Sequence, residues 1–169
     1  MPMSEYMRTI RAKVGHTLLI VPSVTVLNYD DAGRVMLVRH SEGNVWVAPG
    51  GMVEPDETPA DAAVREMREE TGLDVGLSRI AGVYGGPEFR IRYNNGDEMA
   101  FVMTVFESRT TGGAPRPDGD ETLEVGYFTS EEAASLDVGR WMPVVLADAF
   151  EQGGEARFTN PADAGQEKE

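Results

Sequence analysis

The chain has no cysteine. That absence removes disulfides, thiolate metal sites and cysteine nucleophiles together, and makes the cytoplasm the expected location. Long apolar runs are missing as well. Nothing approaches the roughly 18 consecutive apolar residues of a membrane-spanning helix, so no membrane partner is expected. The first eleven residues carry no apolar run ahead of a small-residue cleavage site and do not read as a secretory signal. Positive charge is scarce: 15 Lys and Arg stand against 29 Asp and Glu, and the net charge is −14. Only Lys13 and Lys168 are lysine. A protein that grips a nucleic-acid polymer needs a cationic stripe to neutralise phosphates, and none is visible. The same acidity repels small anions, so a site for phosphates would need divalent cations as a bridge. What the chain does have, 169 residues with 41% hydrophobic and 26% charged, suffices for one globular domain with a core.

Residues 18–27 form a β-rich run, and a turn at Asp30 to Gly33 leads into a short apolar strand over 35–38, which reads as a hairpin. Pro22 predicts an edge, a bulge or a break in the first strand. A Gly- and Pro-rich stretch over 43–55 precedes a helix over 59–71, with Thr58 as N-cap, Pro59 in the first position and Gly72 as the stop. Extended segments follow over 75–84 and 89–93. The Asn94-Asn95-Gly96-Asp97 turn then leads into a strand over 99–106. After a loop over 110–120 come a strand over 123–128, a short helix over 131–136 capped by Ser130, and a helix over 143–150. Residues 1–16 read as an N-terminal arm, 17–152 as the domain and 153–169 as a flexible polar tail. Mixed strands and helices in one chain of this size predict an α/β sandwich.

The informative stretch is the helix over 59–71. Side chains on a helix advance about 100° per residue, so Glu66, Glu69 and Glu70 stand on one face, while Ala60, Ala63, Val64 and Met67 fall on the neighbouring, core-facing arc. Three carboxylates on adjacent turns repel one another, and near the helix C-terminus the macrodipole disfavours them further. A cation offsets both costs; pairing with Arg65 and Arg68 on a solvated face is the plainer alternative. With no cysteine, and only His16 and His40 as histidines, hard oxygen ligands favour Mg²⁺ or Mn²⁺ over Zn²⁺.

Around that helix, Gly51, Glu57, Arg65, Glu66, Met67, Glu69, Glu70, Gly72 and Leu73 occupy every position of the signature of the Nudix hydrolase family, which the sequence resembles. The preceding Trp46-Val47-Ala48-Pro49-Gly50 is also similar to the family's approach to this motif, with Ala48 where leucine is commoner. The order of predicted elements extends the likeness over most of residues 18–136. The resemblance implies an α/β/α sandwich with a mixed sheet between helices. It also implies Mg²⁺-dependent cleavage of the pyrophosphate linkage in a small nucleotide, such as ADP-ribose or a nucleotide sugar. A nucleoside triphosphate pyrophosphohydrolase that clears modified nucleotides is the nearest rival, and a non-catalytic nucleotide sensor is a rival of another class. Glu69 and Glu70 look like the principal metal ligands, with the Gly50 carbonyl as a further one and Glu66 as a ligand or water-positioning group. Arg65 and Glu57 look structural, and Gly51 and Gly72 answer backbone needs.

In the same family an acidic residue before the last strand often completes the metal site or acts as base. The loop here offers Asp118, Asp120, Glu121 and Glu124, with Glu121 the first choice and Glu124 the second; Glu98 is a weaker candidate. For the substrate, Tyr84, Phe89 and Tyr93 are candidates to stack on a base, and Arg90 or Arg92 to meet a phosphate. Aromatics alternating along a strand more often serve packing. His16 and His40 have no motif around them, and His40 reads as a surface loop residue. Residues 6–16, with Arg8, Arg11 and Lys13, read as either a dimer arm or a substrate flap, the first implying a homodimer.

Overall fold

The structure, a computed structural model, describes residues 4–151 and 154–158. Its elements are α1 (Glu5–Val14), β1 (Leu19–Tyr29), β2 (Val35–His40), β3 (Trp46–Val47), β4 (Gly50–Met52), α2 (Pro59–Thr71) and β5 (Leu73–Tyr84). A 3₁₀ turn (Pro87–Phe89) follows, then β6 (Arg90–Arg92), β7 (Glu98–Gly113), β8 (Thr122–Phe128), α3 (Ser130–Ala134), α4 (Met142–Ala149) and β9 (Arg157–Phe158). Among the described residues nine strands join in one mixed sheet, ordered β3-β2-β1-β7-β5-β9, with β4 on β1, β6 on β7 and β8 on β2.

Alternation along β1 decides the layers. Val24 and Val26 point to one face, where they meet Met36, Leu73, Val75 and Phe106 under Ala62, Ala63 and Met67 of α2. Leu27 and Tyr29 point to the other, joining Leu37, Met103 and Val105 beneath Met142 and Val145 of α4. The Tyr29 hydroxyl donates to the Ala149 carbonyl and ties the end of α4 to the sheet. Each large side chain so buried contributes about 1.5–3 kcal/mol, so a helix on either face of one sheet is the arrangement that satisfies both sets. The result is the α/β/α sandwich expected. The core-facing arc of α2 is shifted, however: Ala62 is buried in place of Ala60, and Val64 is exposed.

Several boundaries differ from the sequence reading. β1 and β2 are antiparallel neighbours through Tyr29 and Val35, but β1 runs its whole length parallel to β7. Pro22 sits in unbroken register with Val102, and β4 begins pairing one residue later at Ser23, so the strand needs no bulge there. β7 continues to Gly113, absorbing the start of the expected loop, because β5 accompanies it through three register shifts. Thr129 rather than Ser130 caps α3.

The N-terminal arm is helical. Met7 of α1 packs on Val21 and Met99, and Ser4 accepts from the Met7 amide as N-cap. Buried Arg11 donates to the carbonyls of Gly15, Thr17 and Glu98, at 3.0, 2.7 and 2.8 Å. Of the expected tail only 154–158 are described, and Arg157 and Phe158 lie parallel to Gly82 and Val83 of β5. The remainder falls outside the described residues.

Candidate active site

The motif is assembled from a strand, a loop and a helix. β4 lies so close to β1 that a Cβ on Gly50 would stand 2.2 Å from the Val24 carbonyl oxygen; only glycine fits. Gly72, with φ of 71°, ends α2 in the left-handed conformation, as the sequence suggested. Gly51 is not among the glycines of positive φ. At the start of α2, the Asp61 amide donates to Thr58 Oγ1 and the Thr58 amide donates to Asp61 Oδ2.

Arg65 spends all five of its donors on this motif. Nε and Nη2 grip Glu57 at 2.6 and 2.9 Å, and Nη2 also reaches the Met52 carbonyl at 3.1 Å. Nη1 donates to Glu66 at 2.8 Å and to Glu69 at 3.1 Å. One side chain thus fastens strand, loop and helix together, and holds the Glu57 carboxyl below its ordinary range.

Glu70 is left out of that charge pairing. It is only 3% exposed, its one hydrogen bond comes from the Gly50 amide at 3.2 Å, and no Lys or Arg among the described residues pairs with it. Burial, and then Glu66, push its carboxyl well above the usual range, with Glu121 and Asp118 adding to the effect. Glu66, 1% exposed, is raised to about 7 by burial against the opposing pull of Arg65. Glu69 is different: its side chain is 60% exposed.

A loop faces these carboxylates from across the sheet edge. Asp118 Oδ1 accepts from the amides of Asp120, Glu121 and Thr122 at 2.8, 3.0 and 2.9 Å, which folds the loop around a single carboxylate. The Ser41 amide donates to the Glu121 carbonyl at 2.7 Å, tying the loop to the end of β2. A cavity of about 450 Å³ lies between, lined by Ser4, Glu54, Arg65, Glu66, Glu69, Glu70, Asp118, Asp120 and Glu121. Ligand atoms of His40, Glu70 and Glu121 lie within 4.8 Å of one another. A buried carboxylate without a cationic partner, in a cleft lined by oxygen donors, fits a divalent cation. Glu69, Glu70 and Glu121 would hold it, with Glu66 beside them.

The family model for the NUDIX domain matches residues 19–149. The chain belongs to the Nudix family. Members of this family generally need a divalent metal. Among its relatives, a Bacillus subtilis (strain 168) protein named "Putative 8-oxo-dGTP diphosphatase" is 39% identical over 106 residues, 63% of either chain. A "MutT-like protein" of Streptomyces ambofaciens is 30% identical over 122 residues, covering 72% of this chain and 71% of that one. Among solved structures, an ADP-ribose pyrophosphatase from Streptococcus suis 89-1591 superposes with a TM-score of 0.67 at 24% identity. That match covers 82% of this Nudix chain and 98% of the other.

Not every expected site residue reaches the Nudix cavity. Tyr84 and Phe89 are corrections: both are buried, with ring centroids 5.9 Å apart, and Phe89 also faces Trp141 at 6.4 Å. The Tyr84 hydroxyl donates to Asp148 at 2.8 Å, so these rings pack α4 onto the sheet and offer no face to a base. Arg90 is exposed and pairs with Glu98; both line a second cavity of about 690 Å³ with Arg92 and Arg140. Glu124 pairs with Arg39. Tyr93 packs partly buried against the Met7 cluster. His40 is the residue sequence reasoning passed over. Its only signal was its place at the end of β2, and the pairing that carries it to Glu70 is tertiary.

Proposed function

We propose that the protein uses Mg²⁺ to hydrolyse the pyrophosphate linkage of a nucleoside diphosphate joined to a further group. The observation that carries the reading is buried Glu70, which has no Lys or Arg partner among the described residues, between Glu66 and the Asp118–Glu121 loop. Glu70 and Glu121 would hold a divalent cation there, which would supply neutralisation of phosphate oxygens and activation of a water. The chain's own residues do the positioning. Arg65 orients Glu66 and Glu69 from one wall, and Asp118 orients the loop that brings Glu121 from the other. Because Glu121 lies in one cluster with Glu70, it serves as a ligand rather than as the general base.

Among the described residues the cavity lining is polar and charged, so these walls suit a phosphate chain and its cations better than a base. A second reading, hydrolysis of a modified nucleoside triphosphate, is favoured by the name of the Bacillus subtilis relative. Incubation with Mg²⁺ and a nucleotide panel separates the two. AMP and ribose phosphate released from ADP-ribose support the first. A mononucleotide and pyrophosphate, with ADP-ribose and nucleotide sugars untouched, support the second. Binding without any product overturns both.

A further inference from the structure

The carboxylates already described belong to the motif and its facing loop; His40 belongs to neither. It ends β2, where the pairing with β8 slips: Arg39 stands opposite Glu124, but His40 stands opposite Thr122. The extra residue on β8 is a bulge, a device that re-aims side chains and ends a ladder. Its effect here is to bring the imidazole beside the loop that carries Glu121, whose carbonyl is fixed by the Ser41 amide. An imidazole nitrogen, a Glu70 oxygen and a Glu121 oxygen consequently lie within 4.8 Å of one another. Glu70 supplies an independent reason for a cation at this spot, being a buried carboxylate whose hydrogen-bond partner among the described residues is an amide.

We infer that His40 is a nitrogen ligand of this cation site, which makes the His40–Glu70–Glu121 position selective for a first-row transition ion such as Mn²⁺ over Mg²⁺. The inference rests on the reading of the carboxylate cavity as a divalent-cation site. Imidazole suits first-row transition ions, whereas Mg²⁺ takes oxygen donors almost without exception. Glu66 and Glu69 carry oxygen only, so Mg²⁺ bound by them is indifferent to His40. In the metal-free protein the Glu42 amide donates to His40 Nδ1 at 3.2 Å, which leaves the neutral ring's proton on Nε2. For Nε2 to bind a cation, that one proton would have to move to Nδ1, and the Glu42 amide would lose its acceptor.

The chain has two histidines, so a nitrogen signal can be assigned with two variants. The probe is Mn²⁺ alone, added to the full chain and read by pulsed electron paramagnetic resonance. Wild type and His16→Ala are expected to show ¹⁴N modulation from a bound imidazole, and His40→Ala to lose it. By calorimetry His40→Ala is expected to weaken Mn²⁺ at least about tenfold and to change Mg²⁺ less than about twofold. Absence of ¹⁴N modulation in wild type with Mn²⁺ bound overturns the inference and leaves the hydrolase reading standing; it needs no variant to fold. Failure of both ions to bind overturns the two together. Equal weakening of both ions in His40→Ala, or of neither, also overturns the selectivity claimed.

Discussion

Glu69 and Glu70 are adjacent in sequence and do opposite things to the folded chain. Glu70 is almost wholly buried with no Lys or Arg partner among the described residues, so ionising it costs the metal-free protein stability; Glu69 is exposed and shares Arg65. Glu70→Gln removes the buried charge at nearly constant volume. The metal-free melting temperature at pH 8 is expected to rise by about 3–8 °C while Mg²⁺-dependent turnover falls at least about a hundredfold. Glu69→Gln is expected to lower turnover by a similar factor and to move the melting temperature by about 1 °C or less. Calorimetry and product assays on both variants check this. A Glu70→Gln protein that melts lower, or either variant turning over as wild type, contradicts the assignment. That three glutamates share a helix face was legible from their spacing. Which one is buried was not, because burial depends on β4 and the 118–121 loop closing over the helix.

At the scale of elements, the strand–loop–helix unit around Arg65 is held by hydrogen bonds between charged groups rather than by apolar packing. A lysine keeps the charge but cannot reproduce the fork on Glu57 while also reaching Met52, Glu66 and Glu69. Arg65→Lys is therefore expected to cost about 2–3 kcal/mol, seen as a melting temperature lower by about 4–12 °C. Gly50→Ala is expected to cost at least as much, since its Cβ would meet main chain on β1, which cannot yield as a side chain does. Chemical denaturation of each variant measures these losses, and an unchanged midpoint for either refutes the corresponding contact. The ends of α2 were readable because Thr58, Pro59 and Gly72 act locally. The helix α1 was not: what holds it is Met7 against Val21 and Met99, and Arg11 against carbonyls from distant segments.

For the whole molecule, two sets of carboxylates set opposite pH trends. Glu57 and Glu98 are held below their ordinary values by hydrogen bonds from Arg65 and Arg90, and Asp97 by its bond to His16. Their contribution is present above those ordinary values and lost as pH falls through the lowered ones. Glu66 and Glu70 are raised, so the folded chain keeps protons that the unfolded chain releases near 4.5. Stability from this pair is greatest below that value and is lost as pH rises toward and past 7. Metal-free protein is expected to be most stable near pH 5 and to weaken toward pH 8. Mg²⁺ should raise the melting temperature more at pH 8 than at pH 6, because it competes with those protons. Scanning calorimetry in chelator and in Mg²⁺ tests this. Melting temperatures that rise from pH 5 to pH 8 in chelator, or that gain equally from Mg²⁺ at both pH values, refute it.

The family and its motif, the α/β/α class and the helix that carries the carboxylates follow from the sequence alone, because spacing, caps and strand alternation are local. Tertiary structure decided that Tyr84 and Phe89 are core, that Arg90 lines another cavity, and that His40 joins Glu70 and Glu121. Each of those depends on which strands lie side by side and on a one-residue slip between two of them. Residues from 40 to 121 meet only once the sheet has formed.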